Sequence, residues 1–125
     1  ISSARLIRMT TMYHGSRGAL DGSTLQRGLC LTSDERTAAA YAGPTGAVYA
    51  ISAEWPRWAS EAQVRQVLAQ EGIVVGEYVW EAIDSHLDTL AEYFDGVRYT
   101  DMDPCGGTHE CYRLLEPVAV QIEVI

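Results

Sequence analysis

The chain contains no lysine: all nine of its basic residues are arginine, set against 17 aspartates and glutamates for a formal net charge of −8. Affinity for a phosphate backbone comes mostly from cationic side chains that displace condensed counterions, so this charge balance argues against nucleic acid as a partner. Cysteine is also scarce. Three of them (Cys30, Cys105, Cys111), an odd number without framework spacing, argue against a disulfide-stapled secreted domain and for a reducing, cytoplasmic setting. No apolar run is long enough to cross a bilayer, which excludes a helical membrane span and leads to the expectation of a soluble protein. The opening ISSARLIRM has two arginines but lacks the apolar middle of a secretion signal. Residues 1–8 are therefore expected to be disordered or tag-derived, with Met9 as a natural initiator.

Low-complexity tracts, internal repeats and linker-like shifts of composition are missing too, so residues 1–125 are expected to form a single domain. A hydrophobic content of 47% with 21% charged residues is ordinary for a globular core of this size. Thr10 to His14 reads as a strand, Gly15 to Gly28 as a glycine-rich loop with room for a short helix, and Gly28 to Thr32 as a second strand. Thr32-Ser33-Asp34-Glu35 has the Thr-x-x-Glu form of a helix start, so ERTAAAYA should be a short helix with Tyr41 on its last turn, stopped by Gly43-Pro44.

Ala47 to Ala53 alternates as a strand. Ser60 and Gln63 make a second capping box, which predicts an amphipathic helix ending at Gly72. Helical spacing of Trp80, Ile83, Leu87, Leu90 and Ala91 predicts another from about Val79 to Phe94. Val97 to Thr100, Glu110 to Leu115 and Val118 to Val124 then read as three closing strands. Strands outnumber long helices, so the fold class is α+β, with a largely antiparallel, split sheet.

Three short segments carry the chemistry: Tyr13-His14-Gly15 at the end of the first strand, Tyr41 closing GLCLTSDERTAAAYA, and Glu110 in HECYRLL. A carboxylate stabilises positive charge growing on a sugar ring, an imidazole exchanges hydrogen bonds with hydroxyls, and a phenol offers a flat face for stacking. The same side chains have plainer uses: a strand-face Glu is usually solvated, a His beside Gly often ends a strand, and a Tyr after alanines often packs in a core. Taken together and in this order, the set resembles the His-Tyr-Glu class of ADP-ribosyltransferases, the class of diphtheria toxin and the poly-ADP-ribose polymerases. YHGS resembles the first-strand motif of that class, GLCLTSDERTAAAYA its strand, turn and Ala-rich helix, and FDGVRYTD to HECYRLLEPVAVQI its terminal strand-loop-strand.

The resemblance implies an ADP-ribosyltransferase-like fold with NAD as substrate. It further implies Glu110, His14 and Tyr41 as catalytic residues, and Tyr13, His14, Gly15, Ser16, Thr32 and Tyr41 as the residues that hold NAD. The expected activity is mono-ADP-ribosyl transfer to a protein acceptor, or NAD hydrolysis; the alternative is an inactive module of the same fold that binds a nucleotide or a protein. The end of the chain is also similar to small phage and bacterial members, one of them an anti-CRISPR ADP-ribosyltransferase, which implies a phage or mobile-element origin. Toxin-like members often carry a second aromatic where this chain has Cys30, so Tyr13, Tyr49 or a tryptophan would have to complete the nicotinamide sandwich. Arginine-specific members place Glu or Gln two residues before the catalytic Glu and Arg on the first strand; Thr108 and His14 stand there instead, which disfavours an arginine acceptor.

A metal site is the first rival. Cys105, His109 and Cys111 with a distant His14 offer zinc donors, but Cys-x-x-x-His-x-Cys is not a common finger spacing, and no metal is expected. Strand alternation also sends His109 and Glu110 to opposite faces. A thiol enzyme built on Cys30 or Cys111 is disfavoured because both fall in strands with no evident base. Asp101 and Asp103, in the loop before Glu110, read as solvated turn residues or as second-rank candidates for contacting an acceptor or steering a cationic target.

Overall fold

A computed structural model describes residues 9–20, 22–102 and 106–125. Its strands are β1 (Thr10–Ser16), β2 (Thr24–Leu25), β3 (Cys30–Leu31), β4 (Ala47–Ala53), β5 (Trp58–Ala59), β6 (Gly96–Met102), β7 (Thr108–Leu114), β8 (Val118–Ala119) and β9 (Gln121–Val124). The helices are α1 (Glu35–Ala42), α2 (Glu61–Gln70), α3 (Val79–Ser85) and α4 (Leu87–Ala91). The architecture is mixed α+β. One sheet runs β1-β4-β9, a second β3-β7-β6-β5, and β2 pairs with β8 between them in the chain's course. All pairings are antiparallel except β5 with β6.

Period-2 burial gives each sheet its orientation. In β4, Tyr49, Ile51 and Ala53 point inward, and they join Met12, Leu25, Leu31, Leu114 and Val120 in one core. A second core lies on the opposite face of the β3-β7-β6-β5 sheet, where Val97, Tyr99 and Cys111 meet Val64 and Leu68 of α2, Val79 and Ile83 of α3, and Leu90 of α4. That sheet is therefore covered on both sides, and successive residues of β6 and β7 answer to different cores.

α1 packs on β1 through glycine. A Cβ at Gly15 would fall on the Ala38 carbonyl and crowd the Ala42 nitrogen at 2.9 Å, and one at Gly46 would strike the Ala42 carbonyl. Only glycine lets the helix backbone ride this close to the strand, which buries Ala38 and Ala42.

Several local expectations are corrected. The first helix is capped by Asp34, whose side chain accepts from the Arg36 nitrogen, while Thr32 Oγ1 accepts from the Asp34 nitrogen one turn earlier. Thr32 thus forms the turn before the cap and is not the cap. The helix expected from Val79 to Phe94 is broken at His86, where φ is −132° and ψ 36°. His86 Nδ1 lies 2.8 Å from the Ala82 carbonyl, the oxygen that its own backbone N–H would take in an unbroken helix, and that N–H bonds Ile83 O instead. VAVQIEV forms two strands rather than one: at Val120, whose N–H donates to Ser23 O, the chain leaves its pairing with β2 and enters the sheet beside β4. The Ser60–Gln63 capping box forms with both of its reciprocal hydrogen bonds. The predicted loop over 15–28 contains the short β2, and β1 runs two residues further than expected, to Ser16.

Candidate functional site

The two main sheets meet where β1 touches the end of β3. Tyr13 and Thr32 exchange both backbone hydrogen bonds, at 2.8 and 2.9 Å, as an isolated antiparallel bridge. Beyond this bridge the sheets diverge, because β1 continues along β4 while β3 continues along β7. The wedge between them is a cavity of about 120 Å³ lined by Tyr13, His14 and Gly15 of β1, Cys30 to Thr32, Ala38 and Tyr41 of α1, and Asp101, His109 and Cys111 of β6 and β7. This is smaller than a typical drug-sized pocket, so it takes one ring-sized group and leaves the rest of a larger ligand outside.

Each polar side chain is held by a neighbour. His14 Nδ1 lies 2.7 Å from the Cys30 carbonyl, which can only accept; Nδ1 therefore carries a proton and Nε2 is the ring nitrogen left to serve a ligand. Tyr41, 41% exposed at the mouth, donates its hydroxyl to Met102 O at 3.1 Å, and the same oxygen lies 3.4 Å from His109 Nε2. The Tyr41 and His109 rings meet edge to face with centroids 5.6 Å apart. α1 is thereby tied across the cavity to β6 and β7. Asp101, half-buried, is the one carboxylate among the described lining residues, and its Oδ1 accepts from the Met102 nitrogen at 2.8 Å.

Behind these groups, Cys30 and Cys111 form the floor. Cys111 is buried and donates its thiol to the Tyr99 hydroxyl at 3.5 Å; Cys30 Sγ lies 3.8 Å from the same oxygen. The approach of Cys111, helped by the Arg113 guanidinium and the Tyr99 hydroxyl, brings the Cys30 thiol down to about 7 against the effect of its burial. The neighbouring Cys30 sulfur, together with burial, pushes the Cys111 thiol up. Arg113 is itself fixed, its Nε donating to Gly28 O at 3.0 Å and its NH2 group to Asp84 on α3 at 2.7 Å.

Of the residues singled out in the sequence, the fold brings Tyr13, His14, Gly15, Thr32 and Tyr41 to one cavity. Ser16 is not among its lining residues; its hydroxyl accepts from the Gly18 nitrogen at the strand end. Glu110 is not brought there either. It sits on the far face of β7, exposed, with its carboxylate 3.1 Å from Arg98 Nε. Alternation is the cause: Cys111 and His109 point into the cavity, so Glu110 between them points away, and a one-residue slip that reversed this would pull Cys111 out of the core.

Gly15 does line the cavity, but the packing of α1 already requires a glycine at that position. Asp101 entered the sequence reading only as a second-rank candidate for acceptor contact, and His109 only as a rival metal donor. Their signal was register: the two are paired across β6 and β7 on the face that holds Tyr99 and Cys111. Asp103 and Cys105 lie outside the described residues, and among the described residues no group of three metal-ligating side chains converges. No helix is long and apolar enough to cross a membrane among the described residues. No protein-family model, curated protein or solved structure matches this chain.

Proposed function

We propose that this chain binds the nicotinamide end of NAD in the cleft and breaks the nicotinamide–ribose bond, passing ADP-ribose to a protein acceptor or to water. The observation that supports the reading is the meeting of His14, Tyr41 and one carboxylate, Asp101, around a single ring-sized cavity. In this scheme Tyr41 presents its ring to the nicotinamide, and His14 Nε2 accepts from a ribose hydroxyl while Nδ1 stays anchored on Cys30 O. Asp101 takes the part first expected of Glu110: a carboxylate against the ribose stabilises the oxocarbenium-like charge that develops as nicotinamide leaves. The small apolar wall of Ala38 keeps the ring pocket free of competing side chains.

A nucleotide-binding module without turnover is the second reading, favoured by the position of Glu110 outside the cleft. Nicotinamide release from NAD, followed by chromatography, separates the two. The parent should release nicotinamide. Asp101→Asn should bind NAD within a few-fold of the parent yet lose about a hundredfold in turnover, because one such group contributes roughly 3 kcal/mol mainly in the transition state. Glu110→Gln should match the parent. NAD binding without any release supports the module, and a loss of turnover confined to Glu110→Gln refutes the role of Asp101.

A further inference from the structure

We propose that Cys30 and Cys111 form a peroxide-reactive dithiol at the floor of the cleft, with Cys30 as the attacking sulfur and Cys111 as the resolving one. Position distinguishes them. Both line the cavity, but Cys30 is partly exposed there, on the side a small peroxide would enter, whereas Cys111 is 1% exposed. Both sulfurs lie against the Tyr99 hydroxyl, at 3.8 and 3.5 Å. Of the titratable and charged groups around Cys30, Cys111, Arg113 and Tyr99 favour its thiolate and Asp101 opposes it, while His14 and His109 line the same cavity. The thiolate is the nucleophilic form, and at neutral pH this environment maintains a substantial fraction of it.

The chemistry balances with hydrogen peroxide as oxidant. The Cys30 thiolate attacks the terminal oxygen, an S–O bond forms as the O–O bond breaks, and the departing hydroxide takes a proton to become water. Cys30 is then a sulfenic acid. Cys111 Sγ attacks that sulfur, an S–S bond replaces the S–O bond, and the hydroxyl leaves as a second water with the proton from the Cys111 thiol. Two thiols have lost two electrons and the peroxide has gained them.

Closure of the disulfide also deforms the site. Cys30 is paired across the strands with Arg113, so Cys111 is its diagonal neighbour on the same face. Diagonal Cα atoms are roughly 7–8 Å apart, above the range of about 4.4–6.8 Å that a disulfide spans. β3, only two residues long, must shift along β7, and the Cys30 carbonyl that anchors His14 moves with it.

The test uses the full chain carrying Cys105→Ser, treated with an equivalent of hydrogen peroxide, digested and mapped by mass spectrometry. A Cys30–Cys111 linked peptide pair is expected. With dimedone present from the start, Cys30 should be captured as a sulfenic acid about tenfold more than Cys111, and Cys111→Ala should raise that capture by removing the competing thiol. Because capture on the parent needs no core substitution, the outcome holds even if Cys111→Ala fails to fold. The absence of both the linked pair and Cys30 capture, or capture on Cys111 ahead of Cys30, overturns the proposal. These readouts need no NAD, so they stand or fall separately from the proposed activity.

Discussion

Replacing Gly15 by alanine tests the contact on which the cleft is built. The added methyl would land on the Ala38 carbonyl oxygen, with the Ala42 nitrogen 2.9 Å away. Neither atom can rotate aside, since both belong to the backbone of α1. The strand cannot retreat easily either, because β1 is paired with β4 along its whole length, Gly15 opposite Val48. Relief must come from α1 lifting off the sheet, which uncovers Ala38 and Ala42, now 0% and 2% exposed. Overpacking of this kind costs about 1–3 kcal/mol, and a clash with fixed backbone belongs at the upper end. For a domain of this size a loss of about 3 kcal/mol lowers Tm by roughly 10 °C. Gly76→Ala is the control: nothing lies within 4 Å of its added methyl. There the restricted unfolded chain should leave stability unchanged or raise it by a fraction of a kcal/mol. Calorimetry or thermal circular dichroism on the two variants decides the matter, and a Gly15→Ala protein melting within about 2 °C of the parent would refute the close packing of α1 on β1.

Three further perturbations probe the cleft and its floor. If the proposed NAD site holds, Tyr41→Ala should weaken NAD binding by about 1 kcal/mol, the scale of one aromatic stack, and unchanged affinity in calorimetry would remove Tyr41 from that site. Arg113→Met keeps volume but takes the donor from the Gly28 carbonyl and frees the exposed Asp84 to water, so urea denaturation should show a loss of roughly 1 kcal/mol; an unmoved midpoint contradicts the bonds assigned to it. Alkylation of Cys30 by iodoacetamide should rise with pH through a half-point near 7, since the thiol is unreactive when protonated and the thiolate attacks, while Cys111 stays protected until denaturant is added. Peptide mapping across pH 5 to 9, the range bracketing that half-point, reads both, and equal labelling of the two cysteines would refute the assignment.

Elements with a strong local signal were legible in the sequence. β4 alternates without interruption, and the Ser60–Gln63 box fixes the start of α2, because in both cases the residues that define the element are the ones that bond or bury it. Where a local signal competed with another, the reading failed. Thr32 and Asp34 can both cap, and the β-bridge from Thr32 to Tyr13 commits its backbone to the sheet, which leaves the cap to Asp34. The apolar spacing over 79–94 is helical throughout, but no periodicity reports that the imidazole of His86 takes the Ala82 carbonyl and divides the helix. β5 has two residues and exists by pairing with β6, a long-range contact with no local signature.

The candidate site shows the same division between motif and register. Order along the chain selects His14, Tyr41 and Glu110, and the first two are carried to the cavity by the ends of β1 and α1. For a residue inside a strand, order alone is insufficient, since moving by one position reverses the face. Cys111 is fixed in the core by Tyr99 and the helices above it, so parity assigns Cys111 and His109 to the cavity side and Glu110 to the side of Arg98. Applied across the pair, the same parity selects a carboxylate: His109 stands opposite Asp101, and the two share the face that Glu110 lacks. On the reading proposed above, the carboxylate that shares the cavity with His14 and Tyr41 is found by starting from Cys111, the buried residue that sets which face is inside, and counting outward in steps of two: His109 comes first, Asp101 lies across from it, and Glu110 is never met.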